Sequence, residues 1–366
     1  MRKLASVVRI GETYPIEDSD FLSVAIPGGT AWRVVTGRDE FKPGDLAVYF
    51  EIDSGLPVDD PRYEFLKEKA LRKFADKHGN ILRQIIRIKT IKLRGVISQG
   101  LLMPIDKFPE AEGHEVGDDL TEALGVLHFD DVQAEVQALL DTSTKAGTGR
   151  PAGLFPSYVP RTDAERIQNL ADWCNELKGI KWEVSEKKDG SSCTIGYSPS
   201  YREGKSPFFV CSRNFELKDD DEVYSAWWDI ARKYDLPAKL PQYCQTHDCE
   251  LALQGELIGP GMNGNRDGLT DRELRIFRIW DIKNQYFLTT SERVTVCNAL
   301  GIPHVPLLAL RMDVFTELPT VDDILKFAEG KTANGHEREG LVFKEADTHY
   351  PRSFKAVSNA YLLKQK

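Results

Sequence analysis

From its first residues the chain alternates apolar and polar positions with a period of two. In LASVVRI, Leu4, Ser6, Val8 and Ile10 share one face; in DLAVYFEID, Leu46, Val48, Phe50 and Ile52 do the same. That period predicts strands with one face buried. Pro27-Gly28-Gly29 in IPGGTAW predicts a hairpin connection between two of them. In RQIIRIKTIKLRG the alternation changes phase, because Arg87 and Lys89 share parity with Ile91 and Leu93. The apolar face therefore swaps sides near Thr90. A bulge or sharp bend does this, and small closed barrels need such devices.

Residues 1–125 accordingly read as a five-stranded OB-type barrel. The period then changes. Val132, Val136, Leu139 and Leu140 recur at helical spacing behind acidic cap residues, and residues 142–153 have linker composition. These divide the chain into a barrel (1–125), a helix and linker (126–153) and a second domain (154–366). The second domain opens on PRTDAERIQNLADWCNELKG. There Thr162 and Glu165 read as a capping box, Ile167, Leu170, Cys174 and Leu177 as a buried stripe, and Lys178-Gly179 as a stop. Further helices are expected over 221–234, 292–300 and 321–328. Strands and helices mix without regular alternation, which predicts α+β for the domain.

With 366 residues, 41% hydrophobic and 29% charged, the chain has the composition of two ordinary globular domains. It contains no apolar run of membrane-spanning length, and its first residues lead into a strand pattern rather than a signal peptide. The six cysteines all follow residue 170 without framework spacing, which suits free thiols in a reducing, cytoplasmic compartment. Net charge is −9, yet Arg72, Lys73, Lys77, Arg83, Arg87, Lys89, Lys92 and Arg94 crowd one stretch against a single acid, Asp76. Arg87, Lys89, Lys92 and Arg94 are expected to give the barrel a basic face for a nucleic-acid backbone.

The chemistry concentrates later. VSEKKDGSSCTI holds Lys187-Lys188-Asp189-Gly190 in a strand that then bends. Ser212-Arg213-Asn214, LQGELIG (253–259), RIFRIWDI (275–282), EGLVFK (339–344) and SFKAVSNAYLLK follow in order. Each alone is weak; the succession resembles motifs I, Ia, III, IIIa, IV and V of the covalent nucleotidyltransferases, the DNA ligases, RNA ligases and capping enzymes. With FPSYVPRTDAERIQN and DLAVYFEIDSGLP, it is similar to the RNA ligases typified by the Deinococcus enzyme. Those carry an OB domain before the nucleotidyltransferase domain and seal nicks whose 3′-OH strand is RNA.

The resemblance implies roles. Lys187 attacks the α-phosphate of ATP and holds AMP. An ordinary lysine is protonated at neutral pH, so nearby cations, Mg²⁺ (or Mn²⁺) and Lys355, are expected to lower its pKa. Asp189 shapes the site, and Gly190 permits close backbone approach. Glu256 meets a ribose hydroxyl, Phe277 stacks on adenine, and the main chain at Glu186 reads the base edge. Glu339 holds the metal or its water. Lys344 and Lys355 neutralise phosphate, and Arg213 contacts the ribose or a 5′-phosphate. One position departs from the family's motif V: its second lysine is Val357 here, leaving Lys364 as a candidate substitute.

The expected partner is a nicked duplex with an RNA 3′-OH strand, bound by a monomer. Two other readings stand beside this one. An mRNA guanylyltransferase is disfavoured because only eleven residues follow Lys355, too few for the further OB domain of that class. A non-catalytic nucleic-acid binder has no need for Lys187, Asp189, Glu256, Glu339 and Lys355 together. Cys244, His247 and Cys249 lack a fourth ligand nearby and are not expected to bind zinc.

Overall fold

The structure, a computed structural model, describes residues 3–76, 78–140, 147–332 and 334–364. Lys77 of the basic run, residues 142–146 of the expected linker and the side chains of Leu139 and Leu140 lie outside the described residues. The chain divides into two compact units, residues 1–143 with 168–172 and 362–366, and residues 144–167 with 173–361.

In the first unit, one sheet runs in the order Leu101–Pro104, Leu46–Phe50, Ala5–Pro15, Leu22–Pro27, Val34–Gly37, and a second in the order Leu127–His128, Ser54–Leu56, Ile81–Arg87, Leu71–Ala75. Together they make a nearly closed antiparallel barrel of OB type. The burial differs from simple alternation. Leu4 and Ile10 of the expected face are buried, but between them Ala5 and Val7, rather than Ser6 and Val8, turn inward, and Ala47 through Phe50 are all buried while Leu46 is exposed. A central barrel strand touches the core on one side and covering loops on the other, so period two fades there.

The phase change near Thr90 is a strand end. Ile81–Arg87 stops, and Ile91–Leu93 pairs with Val96–Ser98 as a separate two-stranded ribbon. Arg94 and Gly95 at its tip both have positive φ (45° and 82°), as a tight two-residue hairpin turn requires. The helix Phe129–Leu140 forms as expected and seats Val132 and Val136 in a cluster with Ile85.

The second unit is built on two sheets. The larger is antiparallel, in the order Pro151–Leu154, Phe215–Leu217, Phe208–Cys211, Ser191–Tyr197, Leu251–Ile258, Glu273–Asp281, Tyr286–Phe287. The smaller runs Glu165–Arg166, Ser353–Val357, Gly340–Glu345, Trp182–Lys187, Leu307–Met312. Helices Ala226–Lys233, Leu236–Thr246 and Thr290–Leu300 share a core with the larger sheet, including Trp228, Leu240 and Val296 against Ile195, Leu253 and Ile279. Trp182, Phe315, Phe343 and Phe354 interlock in the smaller one.

The helix over 321–328 matches its expected bounds. The long helix expected from residue 162 does not form. Glu165–Arg166 is instead a short strand parallel to Ser353–Val357, and only Trp173–Glu176 is α-helical. Glu165 turns its carboxylate onto the Arg166 N–H rather than back to Thr162, so the capping box is not made. No helix among the described residues is long and apolar enough to cross a membrane.

Candidate active site

The bend after Lys187 carries the chain from one sheet to the other. Trp182–Lys187 belongs to the smaller sheet and Ser191–Tyr197 to the larger, with three residues between. Gly190 sits where a Cβ would collide with the Leu257 carbonyl. Its lack of a side chain thus lets the turn close onto the neighbouring strand. Gly340 is fixed similarly: φ is +153° and a Cβ would strike the Ala356 carbonyl.

This crossover places Lys187 among carboxylates. Its Nζ donates to Glu339 Oε1 at 2.7 Å, Glu339 standing just before the strand Gly340–Glu345. Burial pulls the Lys187 ammonium down, but Glu339, Glu256 and Asp189 more than offset it and hold it above its ordinary value. Glu339 is drawn up by burial and by Asp189 against the pull of Lys187 and Lys355. Its Oε2 is buried with no hydrogen-bond donor. Glu256, opposite Ser192 in the larger sheet, is pushed up to about 8 by burial first, with Lys187 pulling the other way and Glu339 and Asp189 adding to the rise.

Lys188 goes elsewhere: its Nζ pairs with Glu186 at 3.0 Å and Asp267 at 2.9 Å. Asp189 is held by three groups that the motif pattern does not single out. Arg266 Nε lies 2.7 Å from it, Tyr361 donates its hydroxyl at 2.8 Å, and Asn263 donates at 3.1 Å. The glycine- and asparagine-rich loop GPGMNGNRDG, soon after Glu256, was the available signal for two of them. Lys355, opposite Val342, donates to Asp163 at 2.8 Å. Burial first, then Arg166 and Lys187 against the pull of Asp163, holds its ammonium below the ordinary lysine value. Val357 is buried opposite Gly340. Lys364 falls in the first unit.

Phe277 occupies a β-bulge. Gln254 pairs with Arg278 and Gly255 with Ile276, so Phe277 is the extra residue, its side chain half-buried. The Glu186 N–H is spent on the Pro306 carbonyl. Arg213 is exposed in the turn between Phe208–Cys211 and Phe215–Leu217.

Two expectations need correction. Lys344 does not reach Lys187 and its carboxylates. It lies opposite Glu183, four residues and about 13 Å up the strand. Only 6% exposed, it donates to Glu183 at 2.8 Å and to the Phe277 carbonyl at 2.7 Å. Arg87 leaves the basic face of the barrel: it is 7% exposed, pairs with Asp53 at 3.2 Å and lies 3.7 Å from the Phe129 ring centre. Lys89 is half-buried, and burial, with Arg72 and Arg87 nearby, lowers its pKa. Lys92 and Arg94 are exposed on the ribbon.

Among the described residues no three His, Cys, Asp or Glu side chains stand ready as a metal cluster. The buried, undonated Glu339 oxygen among other carboxylates suits a hard cation that takes one or two carboxylates and completes its shell with phosphate and water.

Comparison with known proteins gives this geometry its family. A family model described as an OB-fold domain matches residues 4–105, and one described as RNA ligase matches residues 180–357. No match was found among curated proteins. Solved structures of Naegleria gruberi RNA ligase are similar throughout. A ligand-free variant shares 36% identity with a TM-score of 0.82, covering 100% of this chain and 98% of that one. A variant with ATP and manganese shares 35% identity with a TM-score of 0.81, covering 99% of both. A third, with AMP and manganese, has 35% identity and a TM-score of 0.82, covering 100% and 99%. This chain belongs to the ATP-dependent RNA ligases, a family of the nucleotidyltransferase superfamily.

Proposed function

We propose that the enzyme seals nicks in duplex nucleic acid whose 3′-OH strand is RNA, in the manner of the Deinococcus-type ligases, through a Lys187–AMP intermediate. The observation that carries this is the Lys187–Glu339 pair, with Glu256 and Asp189 gathered at the crossover between two sheets. ATP enters with its base against Phe277 and its amino edge toward the Glu186 carbonyl. Its ribose hydroxyls face Glu256, whose carboxyl near 8 carries a proton to donate at neutral pH. Arg213 meets the ribose or the 5′-phosphate.

Lys187 then loses its proton to solvent and forms an N–P bond to the α-phosphorus as the bond to pyrophosphate breaks and pyrophosphate leaves. In the second step a 5′-phosphate oxygen attacks the same phosphorus and Lys187 departs, regaining a proton. In the third the 3′-OH attacks the activated 5′-phosphate and AMP leaves. Lys355 supplies positive charge beside Lys187 throughout. Glu339 is the residue that would hold Mg²⁺ or Mn²⁺, and such a cation would supply positive charge to screen the phosphates. Asp189, clamped by Arg266 and Tyr361, keeps the turn in place.

Incubation with α-labelled ATP or GTP, then with nicked duplexes bearing RNA or DNA at the 3′-OH end, tests the reading. Label from ATP alone and sealing confined to RNA 3′-OH ends are expected. Label from GTP would make it a guanylyltransferase, and no label at all would remove the covalent step.

A further inference from the structure

The bulge at Phe277 takes its backbone out of the regular ladder, and its carbonyl needs other donors. Two cations supply them. Arg293, from the helix Thr290–Leu300, donates Nη1 at 2.8 Å, and Lys344, from the strand that follows Glu339, donates Nζ at 2.7 Å. Glu183, on the same strand as Lys187, ties the two together. Its Oε1 accepts from Lys344 at 2.8 Å and its Oε2 lies 3.1 Å from Arg293 Nη2, while Thr290 donates to it as well. Arg293 and Glu183 are 2% and 1% exposed.

Two elements therefore converge on one carbonyl, and a third ties them together. Burying Arg293, Lys344 and the neighbouring Arg278 against a single carboxylate is costly, and the strain is visible in the acidities of Lys344 and Arg278. Burial, then Arg293 and Arg278 against the pull of Glu183, brings Lys344 down to about 7. Burial, against the pull of Glu183 and with Arg293 adding, brings Arg278 to about 10. Burial opposes the Glu183 charge too, but Lys344 and Arg293 hold its carboxylate at about 2. A fold that needed only a packed core would place apolar side chains here.

We propose that Glu183, Arg293 and Lys344 are positioning residues that grip the Phe277 carbonyl and thereby set the angle of its ring, the wall on which the nucleotide base rests. The inference rests on the reading of Phe277 as the base-stacking face. It gives Lys344 a task that does not involve phosphate. The cluster also joins the Lys187 strand, the Glu339 strand and the base wall into one rigid frame, since each contributes a member.

A double-mutant cycle on the rate of enzyme–AMP formation tests this, using the full chain with KM for ATP and the maximal rate read separately. Lys344→Met should raise KM by about tenfold, the loss of one charge-assisted hydrogen bond, and leave the maximal rate near its starting value. A fall in the maximal rate with KM unchanged would return Lys344 to the phosphates and overturn the inference. Phe277→Ala alone should raise KM, and adding Lys344→Met to it should raise KM little further. If Phe277→Ala leaves KM unchanged, the base-stacking reading itself fails. If Phe277→Ala raises KM and Lys344→Met multiplies it again in full, only the positioning role fails. Should Lys344→Met not fold, Arg293→Lys, which keeps the charge but loses the second donor arm, runs the same cycle with the same outcomes.

Discussion

Glu256 stands with Glu339 and Asp189 around a single close ammonium, and its carboxyl titrates near 8 rather than at its ordinary 4.5. The folded chain therefore binds this proton more tightly than the unfolded chain does. The sign follows from linkage: stability falls as pH rises from about 4.5 toward 8, because ionising Glu256 favours unfolding. Glu256→Gln, of the same shape without the charge, should melt higher than the parent at pH 8 by about 3 °C or more. The two curves should meet near pH 4, where both side chains are neutral. Equal melting temperatures at pH 8 would show that Glu256 is not strained. Lys187 and Lys188 separate at the same scale. Lys187→Ala should abolish covalent label from ATP. Lys188→Ala should keep it while lowering the melting temperature, since Glu186 and Asp267 lose their shared partner. Label retained by Lys187→Ala would move the nucleophile elsewhere.

Among the elements, the crossover turn was legible as a bend but not as a junction between sheets. Lys-Lys-Asp-Gly-Ser-Ser carries the turn chemistry in its letters, whereas the sheet each flanking strand joins is decided by distant partners, from Leu251 opposite Tyr197 to Glu345 opposite Trp182. Gly190→Ala should cost label formation at least tenfold and lower the melting temperature, because the Leu257 carbonyl occupies the space. A variant as active and stable as its parent would show that the turn yields. The helix Leu236–Thr246 is hidden in the sequence because LPAKLPQYCQT holds Pro237 in its first turn and Pro241 within it. Proline argues against a helix interior, and packing of Leu236, Leu240 and Cys244 into the core overrides that preference. The false helix at residue 162 is the converse, a good cap and stripe outbid by parallel pairing with the Lys355 strand. The bulge at Phe277 has no letter of its own in RIFRIWDI; the carbonyl it frees is met by Arg293 and Lys344, each from another element.

At the scale of the whole molecule, the acidic chain of an RNA ligase must still meet a polyanion, and the ribbon of the first unit carries two exposed cations, Lys92 and Arg94. Sequence parity grouped Arg87 with Lys89 and set Lys92 with Arg94 apart, and burial distinguishes them: Arg87 is inside with Asp53 and Phe129, while Lys92 and Arg94 are exposed on the two-stranded ribbon. Every phosphate that a protein neutralises on duplex DNA steepens the fall of log affinity with log salt by about 0.9. Lys92→Ala with Arg94→Ala should therefore flatten that slope by about two and weaken nick binding, with label formation from ATP untouched. Arg87→Ala should instead leave the slope alone and destabilise the fold by about 3 kcal/mol, as expected when one partner of a buried pair is removed. Binding to a nicked duplex at several salt concentrations, alongside urea titrations of each variant, reads both quantities. A slope that moves with Arg87 and not with the ribbon would place the nucleic acid on another face of the barrel.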